Sequence, residues 1–132
     1  TGVKPPYWIW APISMIILLS IFITEIGKPK LINNEKNSLR ILDKIPKTLI
    51  TASEEIIISK CSMCHARKPL WDNLSSPPKM VVLETKEDII KHIDGIYSQA
   101  VASYAMPPGN ITFIEGSDRH ILKILYEKIK KL

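Results

Sequence analysis

The chain has 132 residues, of which 18 are Lys or Arg and 13 are Asp or Glu, so its formal net charge is +5. This length allows one small domain and a short appendage. Only two cysteines are present, which excludes a scaffold held together by several disulfides.

The basic excess is concentrated in one segment. Residues 27–51 contain six Lys or Arg against two Asp or Glu, whereas residues 52–132 contain eleven against ten. Nucleic-acid binding requires a basic patch on a folded surface, so we expect no nucleic acid among the partners. A basic segment beside an apolar one favours contact with anionic membrane lipid, and a solvated linker is the alternative that stays open.

The first predicted element is a transmembrane helix over residues 1–26, with the apolar stretch Tyr7–Ile26 as its main part. Only Ser14 and Ser20 are polar within residues 8–23, and the aromatic residues at its start are typical of a membrane interface. Twenty helical residues extend about 30 Å, the thickness of a bilayer core. A cleaved signal peptide is the alternative, which the length and the aromatic start oppose. Since the chain begins without an initiator methionine, we expect a fragment or a processed product.

Residues 27–50 are rich in asparagine and lysine and show no clear period. We interpret them as a basic juxtamembrane linker with at most one helical turn. Residues 51–132 follow as an all-α domain. Its first helix is predicted to begin at the capping-box sequence Thr51-Ala-Ser-Glu54 and to run to about His65.

Two further helices are predicted in this domain, and no strand. Thr85 is the expected N-cap of the second helix and Ser117 that of the third. Each helix carries an apolar stripe at helical spacing. The stripes consist of Ile89, Ile93, Ile96, Tyr97, Ala100, Val101 and Tyr104 in the second helix, and of Ile121, Leu122, Leu125, Ile129 and Leu132 in the third.

The first helix ends in the sequence Cys61-Ser-Met-Cys64-His65, the attachment motif of a c-type haem. One helical turn places both thiols on the same side, where each adds to a vinyl group, and the histidine that follows reaches the iron. We therefore predict one covalent haem c per chain, with Cys61 and Cys64 as attachment sites and His65 as an axial ligand. The haem also supplies the apolar core that three short helices lack. Because this attachment takes place outside the cytoplasm, the expected compartment is periplasmic or equivalent.

Two other uses of the cysteine pair are open to the sequence. A zinc site needs a second pair of ligands, and His92 and His120 fit no common ligand spacing. A thioredoxin-like redox pair requires a βαβ context, which the predicted helices do not provide. Haem attachment accounts in addition for the histidine that directly follows the second cysteine.

The predicted sixth ligand of the iron is Met106, in the loop of residues 104–110 (YAMPPGN). It lies 41 residues after His65, far enough for the chain to wrap around the haem, and prolines stiffen its loop. A His/Met pair on haem iron favours electron transfer. Met80 is the competing ligand, whereas Met63 lies in the attachment turn and does not reach the far haem face.

The ring of an iron-bound histidine is oriented by a hydrogen bond from its other nitrogen. Three prolines, Pro69, Pro77 and Pro78, lie in the loop after His65. We expect the carbonyl of one proline in the 69–78 loop to accept the Nδ1 proton of His65, without the sequence indicating which one.

Five short motifs follow one another through about residues 55–125. They are Cys61-x-x-Cys64-His65-Ala66-Arg67, Pro77-Pro78-Lys79, Leu83-Glu84-Thr85, an Ile93/Ile96/Gln99 helix, and Met106-Pro107-x-Gly109-Asn110-x-Thr112. Together they resemble the C-terminal cytochrome c region of the bacterial membrane-bound urate hydroxylases, which are urate oxidases with a fused cytochrome. The resemblance implies a small class I-like cytochrome c domain in which the two cysteines, the histidine and the loop methionine hold the haem.

The resemblance also implies a larger N-terminal catalytic membrane domain, outside this chain, that oxidises urate to 5-hydroxyisourate. Residues 7–26 would be its last helix, and the haem would pass electrons to a downstream cytochrome or oxidase. The protein would lie in the bacterial inner membrane with its haem domain on the periplasmic side. A stand-alone, membrane-anchored cytochrome c that shuttles electrons is the alternative function. No catalytic residue is predicted within this chain.

Overall fold

A computed structural model of the chain describes residues 8, 10–26 and 35–132, and the chain divides into two compact units, Thr1–Lys30 and Leu31–Leu132. Helices and connecting turns make up the described residues, which contain no strand. The all-α prediction is therefore confirmed.

Helix α1, Trp10–Ile26, belongs to the first unit and has 17 residues. Its side chains from Trp10 to Thr24 are all exposed. A helix of this length extends about 26 Å at 1.5 Å per residue, which is less than the ~30 Å of a bilayer core. Within the described residues no helix is long and apolar enough to cross a membrane, so the predicted transmembrane helix is not supported there. Residues 1–7 and 9 of that prediction lie outside the described residues, among them Tyr7, the start of the apolar stretch.

Helix α2, Glu35–Lys44, lies in the segment that was expected to be a linker. It packs against helix α5, Lys86–Lys91. Ser38 and Ile45 are both 3% exposed, and together with the partly buried residues 41 and 42 they form one helical face at i, i+3, i+4 and i+7. The domain therefore includes this segment. Residues 27–34 of the expected linker lie outside the described residues.

Helix α3, Lys47–Lys60, begins after Pro46, four residues before the predicted start at Thr51. Thr51 therefore lies inside the helix and does not cap it. The earlier start places Ile50 in the core, where it is 4% exposed. Burial of this extra turn outweighs the local capping-box pattern, whose contribution is only about 1 kcal/mol.

The predicted continuation of this helix to His65 is interrupted at Cys61. This residue has φ −117° and ψ −36° and separates α3 from a short helix α4, Ser62–His65. The two helices contact each other. The first cysteine of the haem motif thus stands at the junction of two helices and not within one.

The predicted cap at Thr85 is confirmed. The Asp88 amide donates to Thr85 Oγ1 and the Thr85 amide donates to the Asp88 carboxylate, both at 3.1 Å, which is the reciprocal capping box. Helix α5 ends at Lys91, with His92 as its C-cap. A short helix α6, Ile93–Ile96, and a π-helical segment, Tyr97–Ala102, continue the chain.

Helix α7, Gly116–Lys130, is capped by Glu115 and not by the predicted Ser117. The Glu115 amide donates to the Asp118 carboxylate at 2.9 Å. The helix packs against α3 and against the π-helical segment, and the core between the elements of the second unit is aliphatic. Its buried members are Ile45, Ile50, Ile56, Ile57, Leu83, Ile89, Ile90, Ile93, Ile96, Ile114, Leu122, Leu125 and Ile129.

Candidate haem-attachment site

Cys61 lies at the junction of α3 and α4, Cys64 lies within α4, and both thiols are free. The Cys61 amide donates to the Ile57 carbonyl at 2.8 Å, and the Cys61 carbonyl accepts the amides of Cys64 and His65 at 3.2 and 3.0 Å. Backbone hydrogen bonds therefore fix the spacing of the whole motif. Both cysteines are partly buried, so they border the core rather than project from the surface.

Burial raises the pKa of the Cys61 thiol to about 11. The nearby guanidinium of Arg119 works in the opposite direction, and Cys64 adds a smaller upward contribution. Cys61 is therefore a neutral thiol at neutral pH. A reduced sulfur, and not a disulfide, is what must be present before a thioether can form.

The imidazole of His65 is oriented by a backbone carbonyl. Its Nδ1 lies 2.9 Å from the carbonyl oxygen of Val81. A carbonyl oxygen only accepts, so Nδ1 carries the proton and the lone pair of Nε2 is left for a metal. The predicted partner, a proline carbonyl in the 69–78 loop, is wrong, because the chain reaches the ring three residues beyond Pro78.

Two more hydrogen bonds hold the 81–83 segment against helix α4. The Leu83 amide donates to the His65 carbonyl at 2.8 Å, and the Ser62 hydroxyl donates to the Leu83 carbonyl. Leu83 itself is buried in the core. The carbonyl that orients His65 therefore belongs to a segment that Leu83 anchors to α4 through both its amide and its carbonyl, which keeps the imidazole in one orientation.

The loop that carries Met106 is held at both ends of this residue. The Met106 amide donates to the Gln99 carbonyl at 2.9 Å, and its carbonyl accepts from the guanidinium of Arg119 at 3.3 Å. The next residue, Pro107, is buried, and the peptide bond between them is cis. The side chain of Met106 is 36% exposed.

The competing methionine has a different setting. Met80 is 74% exposed and lies in the 3₁₀ turn Pro78–Met80, where its amide donates to the Pro77 carbonyl at 3.0 Å. This bond stays within one turn, whereas the bonds of Met106 reach two other elements. The choice of Met106 as sixth ligand stays a prediction, favoured by this more constrained backbone.

The remaining histidines are placed differently. Burial lowers the pKa of His92, and the charges of Lys91 and His65 lower it further, so His92 lies within electrostatic range of His65. His120 is exposed on α7. Within the described residues, no group of three or more His, Cys, Asp and Glu side chains is arranged to hold a metal ion.

The residues present fit a c-type haem on two observations. Both thiols of the motif are free. The His65 ring bonds to Val81 through Nδ1, which leaves Nε2 for a metal. Cys61 and Cys64 would hold the haem, with His65 and Met106 toward its iron.

One residue of the site escaped the sequence analysis. Arg119 is only 6% exposed and contacts the backbone of the Met106 loop. Arg119 lies three residues before Leu122 and therefore on the same helix face as the predicted apolar stripe. This spacing indicates that Arg119 faces the core. A charged residue in register with an apolar stripe is a candidate for a buried, hydrogen-bonded role.

No family model, no curated protein and no solved structure matches this chain.

Proposed function

We propose that residues 35–132 bind one covalent haem c and transfer electrons through it. The observation that carries this proposal is the orientation of His65. Its Nδ1 is hydrogen-bonded to the Val81 carbonyl at 2.9 Å, and in the sequence His65 directly follows the second of two free cysteines. A histidine with one fixed nitrogen and one available nitrogen is typical of a metal ligand. The packing of α3 against α7 is consistent with the class I-like cytochrome c domain that the motifs predict.

Each functional residue has a definite role in this proposal. The S–H of Cys61 and of Cys64 adds across a vinyl double bond, so attachment consumes neither oxidant nor reductant. His65 and Met106 are the axial ligands, a pair that raises the reduction potential and suits electron transfer. When bound, the haem supplies a one-electron iron couple.

The direct test is covalent attachment. The chain is expressed with export and haem-attachment machinery, and the product is examined by mass spectrometry and by haem stain after denaturing electrophoresis. We expect the added mass of one haem, and its loss or weak retention in Cys61→Ser and Cys64→Ser. His65→Ala should alter the spectrum, whereas the matched variant His120→Ala should leave it unchanged. An unmodified mass with two alkylatable thiols would contradict the proposal.

The more specific part of the proposal is the electron donor. From the resemblance of the motifs, we propose that the haem accepts electrons from a membrane-bound urate-oxidising domain and passes them to a downstream cytochrome or oxidase. Oxidation of urate to 5-hydroxyisourate takes up one water and releases two protons and two electrons, which the haem carries one at a time. The expected location is the periplasmic side of a bacterial inner membrane, with lipid contact by the apolar N-terminal region.

Haem reduction by urate tests this assignment. Membranes that contain the product of the whole gene are mixed with urate under anaerobic conditions, and the reduced haem c spectrum is recorded. We expect reduction by urate but not by xanthine. A stand-alone electron shuttle is the alternative, and it predicts a start codon just before Thr1 and reduction by the respiratory chain regardless of urate.

A further inference from the structure

Arg119, in the first turn of α7, is a buried cation whose partners are unusual. Its guanidinium donates to the carbonyl of Ala100 and, at 3.3 Å, to the carbonyl of Met106. It also lies over the Tyr104 ring, 4.3 Å from the ring centroid. Burying a charge is costly unless hydrogen bonds compensate for the lost water. Two carbonyls and an aromatic ring provide that compensation here.

All these partners belong to one segment, Ala100–Met106. The segment leaves the π-helical turn and ends at the methionine predicted to bind iron. Arg119 comes from a different element, and its contacts tie the segment to α7. On the opposite side of the same residue, the Met106 amide donates to the Gln99 carbonyl at 2.9 Å. The backbone of Met106 is therefore held from both sides, which leaves mainly side-chain torsions free.

The contacts use the extent of a guanidinium and not only its charge. A single nitrogen, Nη1, donates to both carbonyls, while the guanidinium carbon lies over the Tyr104 ring. A lysine ammonium is a point charge that does not stack in this way. Substitution by lysine therefore separates the geometric contribution of Arg119 from its positive charge.

We propose that Arg119 is the positioning residue for the sixth iron ligand, holding the 100–106 segment so that the Met106 sulfur stays available to the iron. This inference rests on the proposed haem function. Oxidation adds positive charge to the haem, so a buried cation close to Cys61 also favours the reduced form. The positional effect, which Arg119→Lys loses, is the one proposed here.

The test uses the haem-loaded full chain and three variants. Arg119→Lys keeps the charge, Arg119→Met keeps much of the volume without either property, and Lys123→Met is the matched control one turn further along α7. Lys123 is about half exposed and faces Glu127 at 3.9 Å. The readouts are the weak red-edge band of a ferric iron–thioether bond, the pH at which this band is lost, and carbon monoxide binding by the reduced haem.

We expect both Arg119 variants to weaken the iron–thioether bond by about tenfold, since the Met106 carbonyl loses the hydrogen bond that Arg119 gives it. The pH at which the band disappears should then fall by about one unit, and the reduced haem should bind carbon monoxide. Haem content should stay unchanged, and Lys123→Met should behave as wild type. If Arg119→Met does not fold, Tyr104→Leu removes the stacking partner alone and should shift the band in the same direction.

Two outcomes separate this inference from the proposed function. A wild-type chain that lacks the band contradicts Met106 as the iron ligand. The second outcome is a wild-type chain that shows the band and folded Arg119 variants that also retain it and exclude carbon monoxide. This result overturns the positioning role. If these variants also melt at a lower temperature, Arg119 is a structural residue only.

Discussion

The thiol of Cys61 is predicted to react slowly in the folded, haem-free domain. Burial raises its pKa from 9.0 to about 11, against the opposing effect of Arg119. At about pH 8, a thiol with the raised pKa is ionised to about 0.1%, and one with the unperturbed pKa to about 10%. Because the thiolate is the nucleophile, alkylation of Cys61 should be about a hundredfold slower in the folded domain than in the denatured chain.

Alkylation kinetics in a variant with one cysteine measure this difference. Cys64→Ser leaves Cys61 as the only thiol, and iodoacetamide labelling at about pH 8 is followed by mass spectrometry in buffer and in denaturant. Equal rates in the two conditions would refute the reasoning. The expected protection has a consequence for maturation, because haem must then react with Cys61 before folding buries this thiol.

The same shift makes the stability of the haem-free domain depend on pH. The pKa of the folded state lies above that of the unfolded chain, so the stabilisation is fully present below about pH 9 and is lost as the pH rises through about 11. Between about pH 9 and 11, the melting temperature of Cys64→Ser should fall more steeply with pH than that of the Cys61→Ser/Cys64→Ser double variant. Parallel curves would show that Cys61 is not the titrating group.

Met106→Ala should open a coordination site, lower the reduction potential and permit carbon monoxide binding, because a neutral thioether favours ferrous iron. Met80→Ala should change none of these properties. If Met80→Ala changes them and Met106→Ala does not, Met80 is the ligand. Thr85→Ala should lower the free energy of unfolding by about 1 kcal/mol, measured by thermal melting, since it removes the cap that accepts the Asp88 amide; an unchanged melting temperature contradicts the role of this cap. The full chain should sediment with membranes and require detergent for release, because the side chains of residues 10–24 are apolar for the most part and exposed; recovery in the supernatant after a carbonate wash would speak against lipid contact.

The sequence by itself determined the features that depend on neighbours within one or two helical turns. The helical class follows from spacing of apolar residues, and the Thr85 cap follows from a serine- or threonine-type residue three positions before an acidic one. The Cys61-x-x-Cys64-His65 motif is likewise local, because its chemistry depends on the spacing of residues along one turn. Predictions of this kind hold where packing does not override them, as burial of Ile50 overrides the cap predicted at Thr51.

Tertiary packing decided the features that depend on distant residues. Helix α2 has few apolar residues, which by themselves did not predict a helix. Its contact with α5 stabilises it in the folded domain. The oriented nitrogen of His65 bonds to Val81, sixteen residues away, and Arg119 reaches Met106 from thirteen residues further along the chain. A hydrogen bond of this kind depends on where two segments meet in the folded domain, and residue spacing along the chain carries no information about that meeting point.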